Sequence, residues 1–361
     1  MEVVEETQNV IVLNDDPQFS VCDDTKVSAN YFILCEENTE SELSKNVYDC
    51  KIAGMSVLNW VVRACAAQPV ILKVEKDADV IQTIRPYLDQ DSDYSVVLYA
   101  STPLLNRTHI SDLLGFVSRK QMNCCKLKKG FVFRNEYIRE VDEIYSIDTY
   151  DFASNDFFEV NSYEDLAFAK EVLTKKVISY HKKNGVYFES EQNLSVDAST
   201  EIGYATEVSS GVIIANGTNI GENAKIAKNV TISGSKIGAD TKIGIGAIVI
   251  DSIIKDGAVV DAGTIIKNSV IGNNVRVGLA SKILSSSIRA DAKISEMVTI
   301  DNAKIGENSV IGKHSKILGD KTKAIVGANC NVSINVTLVD FELESSAMVE
   351  SNKVLISGKA V

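Results

Sequence analysis

Hydrophobic positions along this chain follow two different rules, and the change between them falls near residue 190. From Ile202 onward an aliphatic residue returns at spacings of six, six and five: Ile220, Ile226, Ile232, then Ile237, Ile243, Val249, and so on to Ile305, Ile311, Ile317. Each triplet occupies 17 residues, and an opening triplet, Ile202, Val208, Ile214, takes 18. Two residues before each aliphatic stands a small or β-branched residue, such as Ala224, Thr241, Ala247, Ser252 or Ser269. Residues i and i−2 share one face of an extended chain, so each short strand sends one large and one small side chain inward. A fixed period of this kind specifies a stacked repeat. Three strands and three corners per turn predict a triangular prism, with about seven turns making a rod on the order of 30 Å long. Glycine often follows the aliphatic, as at Gly203, Gly221, Gly238, Gly244, Gly272, Gly278, Gly306 and Gly312. Those glycines fit tight corners, where a side chain would clash or φ is positive. A β-sandwich would not keep one period over so many cycles. A narrow prism also explains why Phe341 is the only aromatic after Tyr204.

Before residue 190 the pattern is that of an α/β protein. Val10–Leu13, Val70–Val74 and Ser95–Tyr99 read as buried strands, and Phe131–Phe133 as a short extended piece. Met55–Ala66, Ala78–Leu88 and Ile110–Phe116 read as helices. A longer helix over Tyr163–Lys183 has apolar positions Leu166, Ala169, Val172, Leu173 and Ile178 at helical spacing. Ser162 is its expected N-cap, with Asp165 three residues on. Strands alternating with helices predict a mostly parallel sheet covered on both faces, with ligands beyond the carboxyl ends of its strands. The expected organisation is an α/β domain over 1–160, a linker helix over 161–190, and a β-helix with a C-terminal cap, drawn from Cys330 onward, over 191–361.

Composition narrows the function. Net charge is −12, which argues against nucleic acid and anionic membranes as partners. No apolar run approaches a membrane span, and the start of the chain, with Glu2, Glu5 and Glu6, lacks the character of a signal peptide. Seven cysteines without metal-type spacing are expected to be reduced thiols of a cytoplasmic protein.

At the residues of the repeat the chain resembles the hexapeptide-repeat, left-handed parallel β-helix family, and that resemblance implies the handedness. The family includes acyltransferases and the C-terminal halves of sugar-nucleotide pyrophosphorylases. Four further segments are similar to the bifunctional N-acetylglucosamine-1-phosphate uridyltransferases: Val10–Leu13, Lys51–Leu58, Tyr99–Leu105, and Glu159–Ser162 with the helix and Asn184–Gly185–Val186 that follow. The likeness is weak over residues 14–50. It implies a truncated nucleotidyltransferase-like, Rossmann-like N-terminal domain, a sugar nucleotide as ligand, Mg²⁺ as cofactor if catalysis survives, and a homotrimer built through the β-helix.

Several residues that this chemistry needs are replaced. The first predicted strand is followed by Asn14–Phe19 instead of a glycine-rich phosphate loop, and no glycine precedes Gly54. Asp15, Asp16, Asp23 and Asp24 crowd the place of a triphosphate. The catalytic lysine that the resemblance implies falls near Val47, with Lys45 an approximate substitute. Its metal-binding aspartate aligns with Ser101, a far weaker Mg²⁺ ligand, while Asn161 matches the second metal ligand. A lone Asn at such a place also serves as a helix N-cap or turn residue. The reading is a sugar-1-phosphate nucleotidyltransferase relative with catalysis lost or altered. Ser101, Asn161, Asp15 and Asp16 are then the substrate-site candidates, and Asn161 the metal candidate. Two alternatives stand beside it: a trimeric non-catalytic scaffold or regulatory binding module, and an acyltransferase using His314. His314 is the only histidine in the rod, outward-facing and close in sequence to the irregular stretch Leu318–Ala324. His109 and His181 lie outside the repeat.

Overall fold

The computed structural model describes residues 27–37, 46–142, 148–149 and 157–360. The chain divides into two compact units, Met1–Lys175 and Lys176–Val361.

The first unit is a six-stranded sheet with helices on both faces. Its strands are β1 (Ala29–Glu36), β2 (Val70–Val74), β3 (Tyr94–Tyr99), β4 (Cys124–Leu127), β5 (Gly130–Arg134) and β6 (Asp148–Thr149), in spatial order β2-β1-β3-β5-β4-β6. The strand expected at Val10–Leu13 lies outside the described residues, and β1 holds the central place. Its run Tyr31–Cys35 is buried throughout, because alternate side chains serve different cores. Ile33 and Cys35 pack in one core with residues of α1 (Val57–Ala64) and α3 (Arg107–Lys120). Phe32 and Leu34 pack in the other with residues of α2 (Val80–Ile84) and α4 (Asn135–Glu140). A strand buried on both faces reads as a near-continuous apolar run.

The sheet is mostly parallel, as expected, and is mixed only through β5, the one strand of the six that runs in the opposite direction. β1 pairs in parallel with β2 and β3, but β5 runs antiparallel to both β3 and β4. β4 and β5 form a hairpin, and the two residues between them leave no room for a crossover helix. Helix α5 (Tyr163–Lys183) begins as expected: the Asp165 amide donates to Ser162 Oγ at 3.1 Å and the Ser162 amide donates back to Asp165 Oδ2 at 3.0 Å. This reciprocal cap satisfies two amides that the helix itself cannot.

The second unit is a parallel β-solenoid. Each inward aliphatic pairs with its counterpart one coil on, as Val249↔Ile266↔Ile283 and Ile243↔Val260↔Val277. Ten strands stack on one face, from Tyr187–Phe188 to Met348–Val349. The rod is therefore longer than the seven turns that the strict period shows. Its outer coils escape that period because the first is irregular and because Leu318–Ala324 inserts extra residues. The stretch after Cys330, expected as a cap, continues the coils in register. Strands Thr337–Leu343 and Val354–Ala360 run through a corner and pair along two faces.

Both predicted inward columns are buried, from Ile220 to Ile317 and from Ala224 to Ser315. Each large aliphatic contributes about 2 kcal/mol by leaving water. The glycines divide into two kinds. Those after the aliphatic do not have positive φ; an added Cβ at Gly244 would instead meet Ala262 N at 2.5 Å, and one at Gly221 would meet Ala239 N at 2.7 Å. Positive φ falls two residues later, at Asn229, Gly246, Gly263, Ala280, Met297 and His314 along one corner.

Candidate functional site

The carboxyl ends of β1 and β3 open into a cavity of about 360 Å³ lined by Leu34, Glu36, Glu37, Val47, Tyr48, Lys76, Tyr99, Ala100, Ser101, Lys129, Glu159 and Asn161. Backbone contacts hold its walls. The Ala100 amide donates to Leu34 O at 2.9 Å, the Glu37 amide to Val74 O at 3.1 Å, and the Val160 amide to Ser101 O at 2.9 Å. That last bond brings together the two segments carrying Ser101 and Asn161, which lie far apart in sequence. Val47 lines the cavity as a buried apolar residue where the resemblance implies a lysine. Asp15, Asp16 and Lys45 lie outside the described residues.

Lys129 joins two of the carboxylates that line the cavity. Its Nζ stands 2.9 Å from Glu159 Oε1 and 3.2 Å from Glu36 Oε2, and 4.6 Å from the centre of the Tyr99 ring. Ser101 Oγ donates to the same Glu159 oxygen at 3.3 Å. Burial alone would lower the Lys129 pKa, but the Glu159 and Glu36 carboxylates outweigh it and hold the ammonium above the ordinary lysine value. The Tyr99 hydroxyl is pushed up, first by burial and then by Glu36. Nothing in the sequence alone singles out Lys129, Glu36 or Glu159 as site residues. Glu159 lies two residues before Asn161, but Lys129 reaches the site only through the β4–β5 hairpin, which no local pattern links to β1.

These residues do not fit a Mg²⁺ ion as they stand. An ammonium lies between the two best-placed carboxylates, and Ser101 is engaged with one of them. Among the described residues no group of three or more His, Cys, Asp or Glu is placed to hold a metal. Asn161 sits at the rim, its amide N–H donating to Asp165 Oδ2 at 3.1 Å.

On the solenoid, His314 is exposed and occupies a corner with φ of 61°. Histidine, like asparagine, tolerates this region better than most residues. Its amide donates to Glu296 O at 3.2 Å, and the neighbouring Lys313 pairs with the Glu296 carboxylate at 3.0 Å. The loop after Leu318, near in sequence, belongs to the next corner, beyond the strand Lys316–Leu318. The Asp340 carboxylate holds that loop by accepting from the amides of Asp320, Lys321 and Thr322 at 2.7, 3.0 and 3.0 Å. Of the described cysteines none forms a disulfide, and burial pushes the Cys35 and Cys65 thiols up to about 12. No helix among the described residues is long and apolar enough to cross a membrane.

Fold and site together define a two-unit protein, a mixed α/β unit with a strand-end cavity followed by a parallel β-solenoid with hexapeptide spacing. No family model matches the chain, and no curated protein matches it. Among solved structures, LpxA, a UDP-N-acetylglucosamine acyltransferase from Bacteroides fragilis 9343, is similar at 18% identity, over 47% of this chain and 64% of that protein, with a TM-score of 0.26. The chain thus spans less than two thirds of that protein's length. A likeness at that level carries no argument, and the solenoid stands on its own strand register.

Proposed function

We propose that this protein is a non-catalytic assembly module, in which the solenoid supplies an association surface for further copies of the same chain. The observation that carries this reading is an aliphatic patch on the middle coils. Ile245 is 57% exposed and Ile253 43% exposed, with half-buried Ile248 and Ile250 between them along the chain and half-buried Ile265 one coil on. Ile248 and Ile265 are register partners on adjacent coils. Contiguous aliphatic surface of this kind marks an interaction site. Its rim is basic: Lys236 pairs in register with Ile253, Lys267 with Ile250 and Lys282 with Ile265. These three lysines make no ion pair among the described residues.

The resemblance implies a left-handed winding and a homotrimer, and the patch supplies a reason for copies to associate. Like-charged rims oppose that association, so it should strengthen as salt screens them. Light scattering on the full chain checks this. The expected result is a mass well above the 39.3 kDa of one chain, larger at high salt than at low, and falling to one chain in Ile248→Glu. A single-chain mass at every salt concentration would overturn self-assembly and turn attention to an acidic partner protein.

The nucleotidyltransferase ancestry that the resemblance implies is compatible with lost chemistry. Glu36, Glu37 and Glu159 face the cavity, Lys129 is engaged with two of them, and Val47 is apolar. We expect no pyrophosphate release from UTP and N-acetylglucosamine 1-phosphate with Mg²⁺. Acyl transfer is the second reading. In its favour, His314 is exposed at a corner of the solenoid, where an imidazole could reach a bound substrate as a general base. Acetyl-CoA at 100 times its dissociation constant would stabilise the fold by about 2.7 kcal/mol; a melting shift that His314→Ala abolishes would move the function to this corner.

A further inference from the structure

We infer that Lys129 is a built-in counter-cation whose ammonium holds the place a divalent cation would take between Glu36 and Glu159, closing the strand-end cavity to metal-bridged ligands. This goes beyond the assembly reading, which rests on the solenoid alone.

The donors around Lys129 are hard oxygens from three separate segments: the Glu36 carboxylate at the end of β1, the Ser101 hydroxyl just after β3, and the Glu159 carboxylate ahead of α5. Asn161 contributes an amide at the rim. Convergent carboxylate, hydroxyl and amide oxygens form the ligand chemistry of Mg²⁺ and Ca²⁺. Two carboxylates facing one partly buried point repel each other unless a cation lies between them. Here that cation is covalently attached. Its side chain is only 24% exposed, against 25% and 31% for Glu36 and Glu159.

The position of Lys129 is set by the backbone rather than by chance on the surface. It is the last residue of the β4–β5 turn, and the next residue, Gly130, pairs with both Leu127 and Leu98. Gly130 has φ of 134°, and a Cβ there would meet Val97 O at 2.5 Å. Only glycine permits this approach, so the turn is pinned against β3 and delivers the lysine over Tyr99. A tethered ammonium forms one ion pair with each carboxylate and, with only three N–H donors, cannot bridge two carboxylates to a phosphate group as a six-coordinate divalent cation does. Nor can it be exchanged by mass action.

Mn²⁺ is the probe, with binding read from the loss of its free-ion EPR signal and melting temperature followed in parallel. Wild type should neither bind millimolar Mn²⁺ nor melt differently in its presence. Lys129→Met should bind Mn²⁺ at least about tenfold more tightly than wild type and melt higher with the ion than without it. Adding Glu159→Gln to that variant should abolish both effects. Equal binding by wild type and Lys129→Met would overturn the inference, and so would a folded variant indifferent to the ion. If Lys129→Met does not fold alone, Lys129→Gln is measured in its place. Folding of either variant only when Mn²⁺ is present supports the counter-cation role, and failure of both with the ion present counts against it.

Discussion

At the scale of single residues, the corners of the solenoid separate two uses of glycine that look alike in sequence. Gly244 is needed because the next coil leaves no space for a Cβ, whereas Gly246, with φ of 65°, has open space around it. Gly244→Ala should therefore cost about 1–3 kcal/mol through overpacking. Gly246→Asn should stay within about 0.5 kcal/mol, since Asn229 adopts φ of 58° at the same corner one coil earlier. Urea denaturation of the two variants tests the contrast. His181 makes a second residue-scale prediction. It is buried, and burial lowers its pKa to about 4. Above the ordinary histidine value of about 6.5 both folded and unfolded rings are neutral. As pH falls from there towards 4, the unfolded ring takes up a proton that the folded ring refuses, so stability is lost, by up to about 3 kcal/mol. His181→Gln should flatten the profile of melting against pH over that window. A wild-type profile no steeper than the variant's would refute the assignment.

At the scale of elements, the tight corner of the repeat is held by a polar ladder inside the rod. Ser252 Oγ donates to Ile250 O at 2.7 Å and accepts the Ser269 amide at 3.1 Å, and Ser269 and Ser286 repeat both contacts one and two coils on. Each hydroxyl satisfies a buried amide of the next coil, so the five-residue spacing does not strand a donor in the core. Ser269→Ala leaves the Ser286 amide without its acceptor and should cost about 1–3 kcal/mol, where Ser287→Ala, at a half-buried position on the outer face, should stay within about 0.5 kcal/mol. Chemical denaturation distinguishes the two. The Leu318–Ala324 loop depends on a different device. Asp340 accepts from three successive amides, and the Thr322 amide is the main cause of its lowered pKa. Asp340→Ala should expose the Lys321 and Lys323 peptide bonds to trypsin at a concentration that leaves wild type intact.

At the scale of the molecule, charge is unevenly distributed between the parts of the chain. Residues 223–318 carry thirteen Lys and Arg against eight Asp and Glu, within a chain whose net charge is −12. The middle of the solenoid is therefore basic on an acidic protein. A basic rim around an aliphatic patch makes association a balance of apolar burial and repulsion, which is why its salt dependence is the informative variable. In the cavity of the first unit, Lys129 offsets the Glu36 and Glu159 carboxylates from within. Neither feature is visible from overall composition.

The solenoid was legible because its period is local: each coil repeats the same small set of backbone environments, so six-, six- and five-residue spacings report directly on which side chains are enclosed. The Ser162–Asp165 cap was legible for the same reason, its partners being three residues apart. Ser101 and Asn161 could be named from resemblance, and the structure brings their segments together, but the lysine that joins two of the cavity's carboxylates could not. Lys129 lies 93 residues from Glu36 and 30 from Glu159, and only the β4–β5 hairpin pinned on β3 by Gly130 joins them. Likewise the one reversed strand of the sheet, β5, arose from a hairpin whose pairing with β3 no local pattern marks. Sequence determines what is set by neighbours within a few residues or by an unbroken repeat. Tertiary structure alone decides which distant charges share one cavity, because that depends on how strands from different parts of the chain close beside one another.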